Sequence, residues 1–337
     1  MANQRTNVEL DRLALDQKFN ARKFFLKWEW LLVVILLAIL GVNISASGGS
    51  FLGPQFFGST NNFMDKSFLV LSMTFVIILG EIDISVGSTV ALSSVLMAVA
   101  YNAGLPMGAS LVLCLLVGTL CGFINGVIAT KFKELPTMII TLATMIIYRG
   151  IANILLEDRA AGGFPDWFQN ISWGTVGPVP YSLIAFLVFA VVFGIVLHKT
   201  RFGRELYAGG NNRIASLFSR VKVDRNLLIA FTLNGVMAGV CALFLTSRMT
   251  STRPNVASGY ELEAIAMVVL AGVPAIGGKG NISGVILSVF IIGYLRYGLG
   301  LFNVTAPVMS IIIGLLLVGS VLISNFFLNR EKKLKVR

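Results

Sequence analysis

Long apolar runs, each of about 20 residues, follow one another along most of the chain and constrain its fold more than any other feature. A helix of that length crosses the hydrocarbon core of a bilayer, and continuous apolar character favours helices over the alternating strands of a barrel. The sequence therefore predicts an all-α, polytopic transmembrane helical bundle of about ten spans. The runs lie near residues 28–47, 63–80, 84–101, 108–130, 135–156, 181–198, 226–247, 260–277, 282–299 and 305–328.

Composition agrees with a membrane protein. The chain has 337 residues, of which 56% are hydrophobic and only 13% charged, whereas an ordinary soluble domain is about 25% charged. Its mean hydropathy is +0.83. Glycine or charge interrupts the second, third, eighth and ninth runs, so each of these is either a full span, a half-helix or a re-entrant segment.

Positive charge sets the predicted orientation. The net charge is +11, but the lysines and arginines cluster in short segments between the apolar runs, which is typical of the positive-inside rule rather than of a nucleic-acid surface. With both termini in the cytoplasm, 21 Lys and Arg residues lie inside and six lie outside. We therefore expect an even number of spans with both termini cytoplasmic, and no nucleic-acid partner.

This orientation divides the chain into segments. Residues 1–27 form a cytoplasmic N-terminal segment with an amphipathic pattern suited to the inner leaflet. Residues 28–328 form the transmembrane domain, with an external loop at 157–180 and a basic cytoplasmic loop at 199–225. Residues 329–337 form a basic cytoplasmic tail.

The residue types that carry catalysis are scarce. Cys114, Cys121 and Cys241 all lie inside apolar runs and are expected to be small buried side chains. One histidine, His198, is too few for an ordinary metal site, and no Ser/His/Asp set is credible. The segment around Lys279 lacks the spacing of a phosphate-binding loop. The sequence predicts no enzyme activity, no metal and no cofactor.

The segment GEIDISVGS, Gly80 to Ser88, places two carboxylates between apolar stretches. A carboxylate in the membrane usually faces a cavity or a partner, and glycine permits a break in a helix. Gly80, Glu81, Asp83 and Ser85 are therefore candidates for a helix break on a solute path. The alternative is a short cytoplasmic turn in which Asp83 caps the next helix. The two interpretations are compatible.

A second irregular segment is LAGVPAIGGKGNISG, Leu270 to Gly284. Proline interrupts a helix, and the glycines permit close packing or an irregular path. Its candidate path residues are Gly272, Pro274, Gly277 and Gly278. The glycine and isoleucine spacing of residues 271–277 resembles that of residues 79–85, which suggests an internal repeat.

The basic loop contains TRFGRELYAGGNNRIASLFSRV, Thr200 to Val221. Its pattern predicts a short helix, a break at Gly209 and Gly210, and a second short helix from Arg213 to Val221. An apolar stripe on that helix suits a partner's groove. The alternative is packing against its own bundle or against lipid headgroups. The stripe residues are Ile214, Leu217, Phe218 and Val221.

Two further carboxylates, Glu261 and Glu263, precede the apolar helix at 260–277. Acidic side chains stabilise a helix N-terminus, which is one sufficient reason for their position. Contact with a polar solute is the alternative.

Four segments in this order are similar to the permeases of ATP-binding-cassette importers for ribose, other monosaccharides and autoinducer-2. They are GEIDISVGS, LPTMIITLATMIIYRG, TRFGRELYAGGNNRIASLFSRV and ELEAIAMVVLAGVPAIGGKGNISG. The resemblance covers about residues 28–328. Many members have glycine where this chain has Glu81. The external segment STRPNVASGYELE most resembles rhamnose-type permeases, with autoinducer-2 permeases next.

The resemblance implies a bacterial inner-membrane location and a set of partners. A second permease subunit, alike or different, would pair with this chain, two ATPase subunits would dock inside, and an extracytoplasmic sugar-binding protein would deliver the solute. The basic loop would contact the ATPase. Three external arginines are cations on the side where positive charge is scarce, and we expect some of them to pair with acids on the binding protein. The coupling residues would be Arg201, Gly203, Arg204, Gly209, Gly210, Arg213, Ile214, Leu217 and Phe218. The docking residues would be Arg159, Arg248 and Arg253.

A rival hypothesis is a secondary transporter of a small polar solute, driven by protons or sodium. Asp83 in the membrane would suit that mechanism, because carboxylates relay protons. The basic amphipathic loop favours the importer subunit instead.

Overall fold

A computed structural model of the chain describes residues 28–157, 159–316, 318 and 319. The predicted N-terminal segment (1–27) and basic tail (329–337) lie outside these residues. The last predicted span, 305–328, is described only in its first half.

The described residues are mostly helical, with two small antiparallel strand pairs. The pairs are β1 (Ala161–Gly162) with β4 (Ser251–Thr252), and β2 (Thr175–Val176) with β3 (Val179–Pro180). The α-helices are α1 (Trp28–Ala46), α2 (Pro54–Gly58), α3 (Met64–Ile78), α4 (Val86–Asn102), α5 (Met107–Lys131), α6 (Thr137–Leu156), α7 (Asp166–Trp173), α8 (Tyr181–Lys199), α9 (Arg201–Asn211), α10 (Arg213–Phe218), α11 (Val223–Met249), α12 (Tyr260–Leu270), α13 (Ile282–Leu301) and α14 (Ala306–Leu316). Short 3₁₀ turns occupy Ser50–Leu52 and Ser59–Asn62.

Six helices of the described part, α1, α5, α6, α8, α11 and α13, are long and apolar enough to cross a membrane. The second, third and eighth predicted runs form shorter helices: α3 has 15 residues, α4 has 17 and α12 has 11. Glycines with positive φ follow α3 (Gly80, 80°) and α12 (Gly272, 90°), and such residues end helices. The count of ten spans stays a prediction.

The bundle has two ends that matter for the site. We name the end formed by α7, β1 and β4 the strand end, and the end formed by α9 and α10 the basic end. Helix α8 joins residues 157–180 directly to residues 199–225, so the two predicted loops lie at opposite ends. Helices α3 and α12 both run from the strand end to the basic end, and α4 and α13 both return.

Helix α11 lies at the centre of the bundle and packs closely against α5. A Cβ atom at Gly122 would stand 2.3 Å from the carbonyl oxygen of Phe231, and one at Gly118 would stand 2.5 Å from that of Gly235. Small residues at such positions let two helix backbones approach within a membrane. The three cysteines are buried and free, as predicted.

Candidate functional site

The break between α3 and α4 places Asp83 inside the bundle. Its side chain is only 2% exposed. One carboxylate oxygen, Oδ1, accepts hydrogen bonds from the Ser85 amide (2.9 Å) and hydroxyl (2.6 Å). The other, Oδ2, accepts one from Asn234 Nδ2 at 2.9 Å. Three donors therefore satisfy the carboxylate without a cation.

These bonds extend into a network that joins five helices. Asn125 on α5 donates to Ser85 Oγ (2.8 Å), and the Tyr148 hydroxyl on α6 donates to Asn125 Oδ1 (3.3 Å). On the other side, Ser72 on α3 donates to Asn234 Oδ1 on α11 (2.7 Å). The N-cap residue of α4 is Ser85, and no side chain of the described residues caps this helix, so Asp83 braces the break before α4 and does not cap the helix.

The second irregular segment meets the first at the basic end. The Gly278 amide donates to the Ile78 carbonyl at 2.8 Å. A Cβ atom at Gly277 would stand 2.6 Å from the Gly80 nitrogen. Pro274 begins the turn that leads to Gly277, because its carbonyl accepts a hydrogen bond from the Gly277 amide. Gly80, Gly277 and Gly278 therefore lie together, although about 200 residues separate the two segments in the chain. Gly272 instead lies against Trp28.

The predicted break at Gly209 and Gly210 is wrong. Helix α9 continues through both glycines to Asn211, and the chain turns at Asn212 instead. Asn212 caps α10, because its Oδ1 accepts from the Ala215 amide at 2.9 Å. Gly210 serves close packing: a Cβ atom there would stand 1.8 Å from the Ile78 carbonyl oxygen.

Helix α10 ends at Phe218, three residues before the predicted end at Val221. Three of the four predicted stripe residues point away from the rest of the chain, with Ile214 69%, Leu217 55% and Phe218 87% exposed, whereas Val221 lies beyond the helix and is half-buried. Packing of these three residues against their own bundle, one of the two alternatives left open by the sequence, does not occur in the described residues. The exposed apolar face suits a partner groove or, as in the other alternative, lipid headgroups.

Helix α9 is held against the bundle by polar contacts. The Tyr207 hydroxyl donates to the Gly280 carbonyl at 2.7 Å. Asn226 on α11 donates to Glu205 (2.9 Å), and Arg201 pairs with Glu205 at 2.6 Å. The hydrogen bond from Asn226, and after it that from Arg201, lowers the pKa of the Glu205 carboxyl. Of the other predicted coupling residues, Gly203 is buried and Arg204 is exposed.

A cluster of charges, here called the basic-end ion cluster, joins α10 to the helix break. It consists of Glu81, Lys133, Arg213 and Asp224. Arg213 contacts Glu81 Oε1 (3.2 Å) and Asp224 Oδ1 (3.3 Å), and Lys133 contacts Asp224 Oδ2 (2.5 Å). The Thr137 hydroxyl donates to Glu81 Oε2 at 2.7 Å. Glu81, Lys133, Arg213 and Thr137 line a cavity of about 220 Å³.

A second cluster occupies the strand end. Arg248 pairs with Asp65 (2.8 Å), Lys66 pairs with Glu263 (2.7 Å), and Arg296 also contacts Glu263. Asp65, Lys66 and Arg296 were not among the site residues predicted from the sequence. The one sequence feature that could have identified them is that each is a charged residue near the end of an apolar run.

This cluster changes the expectation for the three external arginines. Arg248 is engaged inside the bundle, so its guanidinium is not free for docking. Arg159 is exposed and pairs locally with Glu157 at 3.4 Å. Arg253 is exposed, and no ion pair is found for it among the described residues. Of the three external arginines, only Arg159 and Arg253 are therefore exposed.

The two acids at the start of α12 differ in their surroundings. Glu263 belongs to the strand-end cluster. Glu261 accepts a hydrogen bond from the Gly259 amide (3.1 Å), which satisfies a free donor at the helix N-terminus. Its other oxygen, Oε2, is buried without a partner among the described residues and lies against Gly87 of α4. The helix N-terminus accounts for Oε1 of Glu261 and ion pairing accounts for Glu263, whereas contact with a polar solute stays the alternative for Oε2 of Glu261.

Comparisons with known proteins agree on one class. The family described as "Branched-chain amino acid transport system / permease component" matches residues 55–321. The autoinducer 2 import system permease protein LsrD is 33% identical in Yersinia enterocolitica (90% of this chain, 93% of that protein) and 34% identical in Escherichia coli K12 (90% and 94%). The ribose import permease protein RbsC of Haemophilus influenzae is 32% identical over 97% of this chain and 98% of its own length. No solved structure matches the chain.

Proposed function

Since the chain belongs to the family described as branched-chain amino acid transport system / permease component, we propose that it is the membrane-spanning subunit of an ATP-binding-cassette importer that carries a monosaccharide or a related small polyol. In this role the chain forms part of the solute path, and a separate subunit hydrolyses ATP. The full-length similarity to an autoinducer-2 permease and to a ribose permease supports the solute class.

The observation that carries this proposal is the exposed apolar stripe of α10. Ile214, Leu217 and Phe218 face away from the bundle at the basic end. Exposed apolar anchors on a short helix are the feature that a partner groove recognises. An importer subunit that receives force from an ATPase requires such a contact, whereas an ion-driven carrier does not.

The partner set follows from this role. A second permease subunit, identical or different, pairs with this chain in the bacterial inner membrane. Two ATPase subunits contact the basic end, and an extracytoplasmic binding protein contacts the strand end, where Arg159 and Arg253 are exposed. The topology proposed with it has about ten spans, cytoplasmic termini and residues 157–180 outside.

The solute path runs beside the two irregular segments. Gly80, Gly277 and Gly278 bring these segments together at the basic end. Irregular backbone at membrane depth is tolerated where it lines a cavity or is covered by protein. We place the path between this junction and the corresponding junction of the second permease subunit.

Of the two solutes suggested by the sequence, autoinducer 2 is better supported than rhamnose. The relatives compared above are named for autoinducer 2 and for ribose. None of these is named for rhamnose, so the rhamnose-type expectation depends on the segment 251–263 alone. Uptake of labelled autoinducer 2, ribose and rhamnose by cells that co-express the chain with its operon partners decides among them.

The test of the whole proposal is a double substitution on α10. Leu217→Asp with Phe218→Asp puts charges into an apolar contact, which is costly if they become buried. The variant should insert normally, lose the ATPase on purification and stop transporting. Leu52→Asp, at an apolar residue of the strand end whose exposure (70%) lies between those of Leu217 (55%) and Phe218 (87%), is the control and should retain both. A double variant that still co-purifies with the ATPase and transports normally would reject this proposal.

A further inference from the structure

The ion pair between Glu81 and Arg213 joins two elements that the sequence places 132 residues apart. Arg213 is the first residue of α10, which carries the exposed stripe. Glu81 lies in the break between α3 and α4, two residues before Asp83. The Arg213 Nη1 to Glu81 Oε1 distance is 3.2 Å. This contact is therefore a direct physical connection between the partner-facing helix and the broken helix.

We propose that this ion pair is the link through which α10 moves the helix break, with Glu81 as a positioning residue. The inference rests on the proposed function, because it assumes that an ATPase acts on α10. It gives Glu81 a role beyond the place at a helix break on the solute path that the sequence predicted.

Each carboxylate oxygen of Glu81 has a different partner. Oε1 receives Arg213, and Oε2 receives the hydroxyl of Thr137 at the start of α6. The Arg213 guanidinium likewise has two partners, because its other nitrogen, Nη2, contacts Asp224 in the first turn of α11. The pair therefore sits where α6, α10, α11 and the helix break converge, so a shift of α10 relative to α6 or α11 must strain it.

Helix α9 and helix α10 contact the helix break in different ways, and the two contacts transmit different forces. Helix α9 packs by direct backbone contact, with Gly210 against the Ile78 carbonyl. Hard contact transmits a push but not a pull, because separating the surfaces meets only weak dispersion forces. An ion pair resists separation, since opposite charges attract over several ångströms. Glu81 and Arg213 thus supply the pulling link that the glycine contact lacks.

Beyond Glu81, the chain is stiff enough to pass the displacement on. Asp83 is held by Ser85 and Asn234, and through them to α4 and α11. A displacement of residue 81 therefore reaches the buried network within two residues. The exposed pair itself contributes little to stability in water. Exclusion of water by an ATPase docked over α10 would strengthen it, because the local dielectric falls.

The experiment uses the chain purified with its ATPase and second permease subunit and reconstituted in vesicles. Uptake of the labelled solute and ATP hydrolysis are measured together, and their ratio is the readout. Glu81→Gln removes the charge and keeps an oxygen that accepts from Thr137. Arg213→Gln removes the other charge. Each variant should assemble and hydrolyse ATP, while solute transported per ATP falls about fivefold or more.

Two comparisons distinguish the loss of the Glu81–Arg213 ion pair from a general disruption of the protein. The double variant Glu81→Gln with Arg213→Gln should be no worse than Arg213→Gln alone, because Arg213→Gln has already removed the ion pair with Glu81 as well as the one with Asp224. Lys133→Gln is the matched control. It removes an ion pair to Asp224 in the same cluster and leaves Glu81 untouched, so transport per ATP should stay near the wild-type ratio.

The inference is overturned if Glu81→Gln and Arg213→Gln keep the wild-type ratio, or if Lys133→Gln lowers it equally. Failure of the proposed function has a different signature: the unmodified chain then neither co-purifies with an ATPase nor imports solute with it. That result is obtained before any variant is measured, and it would overturn both.

Discussion

Asp83→Leu and Asp83→Asn should have sharply different effects, although both remove the same charge. We expect Asp83→Leu to lower the free energy of unfolding by about 2–6 kcal/mol and to abolish uptake. We expect Asp83→Asn to lower it by less than about 1 kcal/mol and to retain uptake. The difference follows from the donors that surround the carboxylate.

Leucine at residue 83 leaves two buried donors without an acceptor. The Ser85 amide and Asn234 Nδ2 both lose the oxygen they contact, at 2.9 Å in each case. The Ser85 hydroxyl can rotate toward another acceptor. A buried donor left unpaired costs about 1–3 kcal/mol, so two of them cost about 2–6 kcal/mol.

The Asp83→Asn substitution allows the same network to pair again. The oxygen of the introduced side-chain amide accepts from Ser85 as the carboxylate did. The Asn234 amide then turns over, so that its oxygen accepts from the introduced NH₂ group and its nitrogen donates to Ser72 Oγ. A hydroxyl both donates and accepts, and Ser72 Oγ also lies 3.2 Å from the Leu69 carbonyl, to which it can donate.

The assay is reversible unfolding in mixed micelles, together with uptake in reconstituted vesicles. Two results would refute the reasoning. A stable, well-inserted Asp83→Asn variant that no longer transports would show that the charge itself is needed, as in a proton relay. An Asp83→Leu variant within about 0.5 kcal/mol of wild type would show that the network does not brace the helix break.

Three further predictions concern the two ends of the bundle. Gly210→Ala should displace α9 and reduce both uptake and ATPase co-purification, because its Cβ would stand 1.8 Å from a carbonyl oxygen. The control Gly150→Ala, which has open space around its Cβ, should retain both uptake and co-purification. In a chain without its native cysteines, a cysteine at Asn170 should react with an impermeant reagent from outside and one at Asn211 only from inside; labelling of both from outside would contradict the proposed orientation. The pKa of Glu205 is lowered in the folded chain, so its stabilising effect is present above the unfolded pKa and is lost on acidification. Unfolding curves should show that loss in wild type and not in Glu205→Gln, and equal acid sensitivity of the two would argue against it.

The sequence predicted the class of fold because the bilayer leaves few solutions. Continuous apolar runs must close their backbone hydrogen bonds within each segment, which requires helices. Runs such as 108–130, 135–156 and 226–247 accordingly coincide with α5, α6 and α11 to within a few residues. The helix breaks at Gly80 and Gly272 were also expected, since glycine permits the positive φ found at both.

The apolar stripe of α10 was predictable from helical spacing, whereas its exposure was not. Helical spacing places Ile214, Leu217 and Phe218 on one face whatever the rest of the chain does. The position of the break between α9 and α10 was not predictable from the sequence. Gly209 and Gly210 permit a turn, but they also permit close packing, and the Ile78 carbonyl that selects packing comes from a distant part of the chain.

Tertiary structure alone decided the partners of the charged and polar groups. Nothing in the local sequence pairs Asp83 with Asn234, 151 residues away, or Arg248 with Asp65, 183 residues away. Local patterns report which face of a helix is apolar, and they carry no information on which helices become neighbours. Packing of α11 at the centre of the bundle brings Asn234 to the helix break and Arg248 to the strand end, because one long helix presents both residues at different depths.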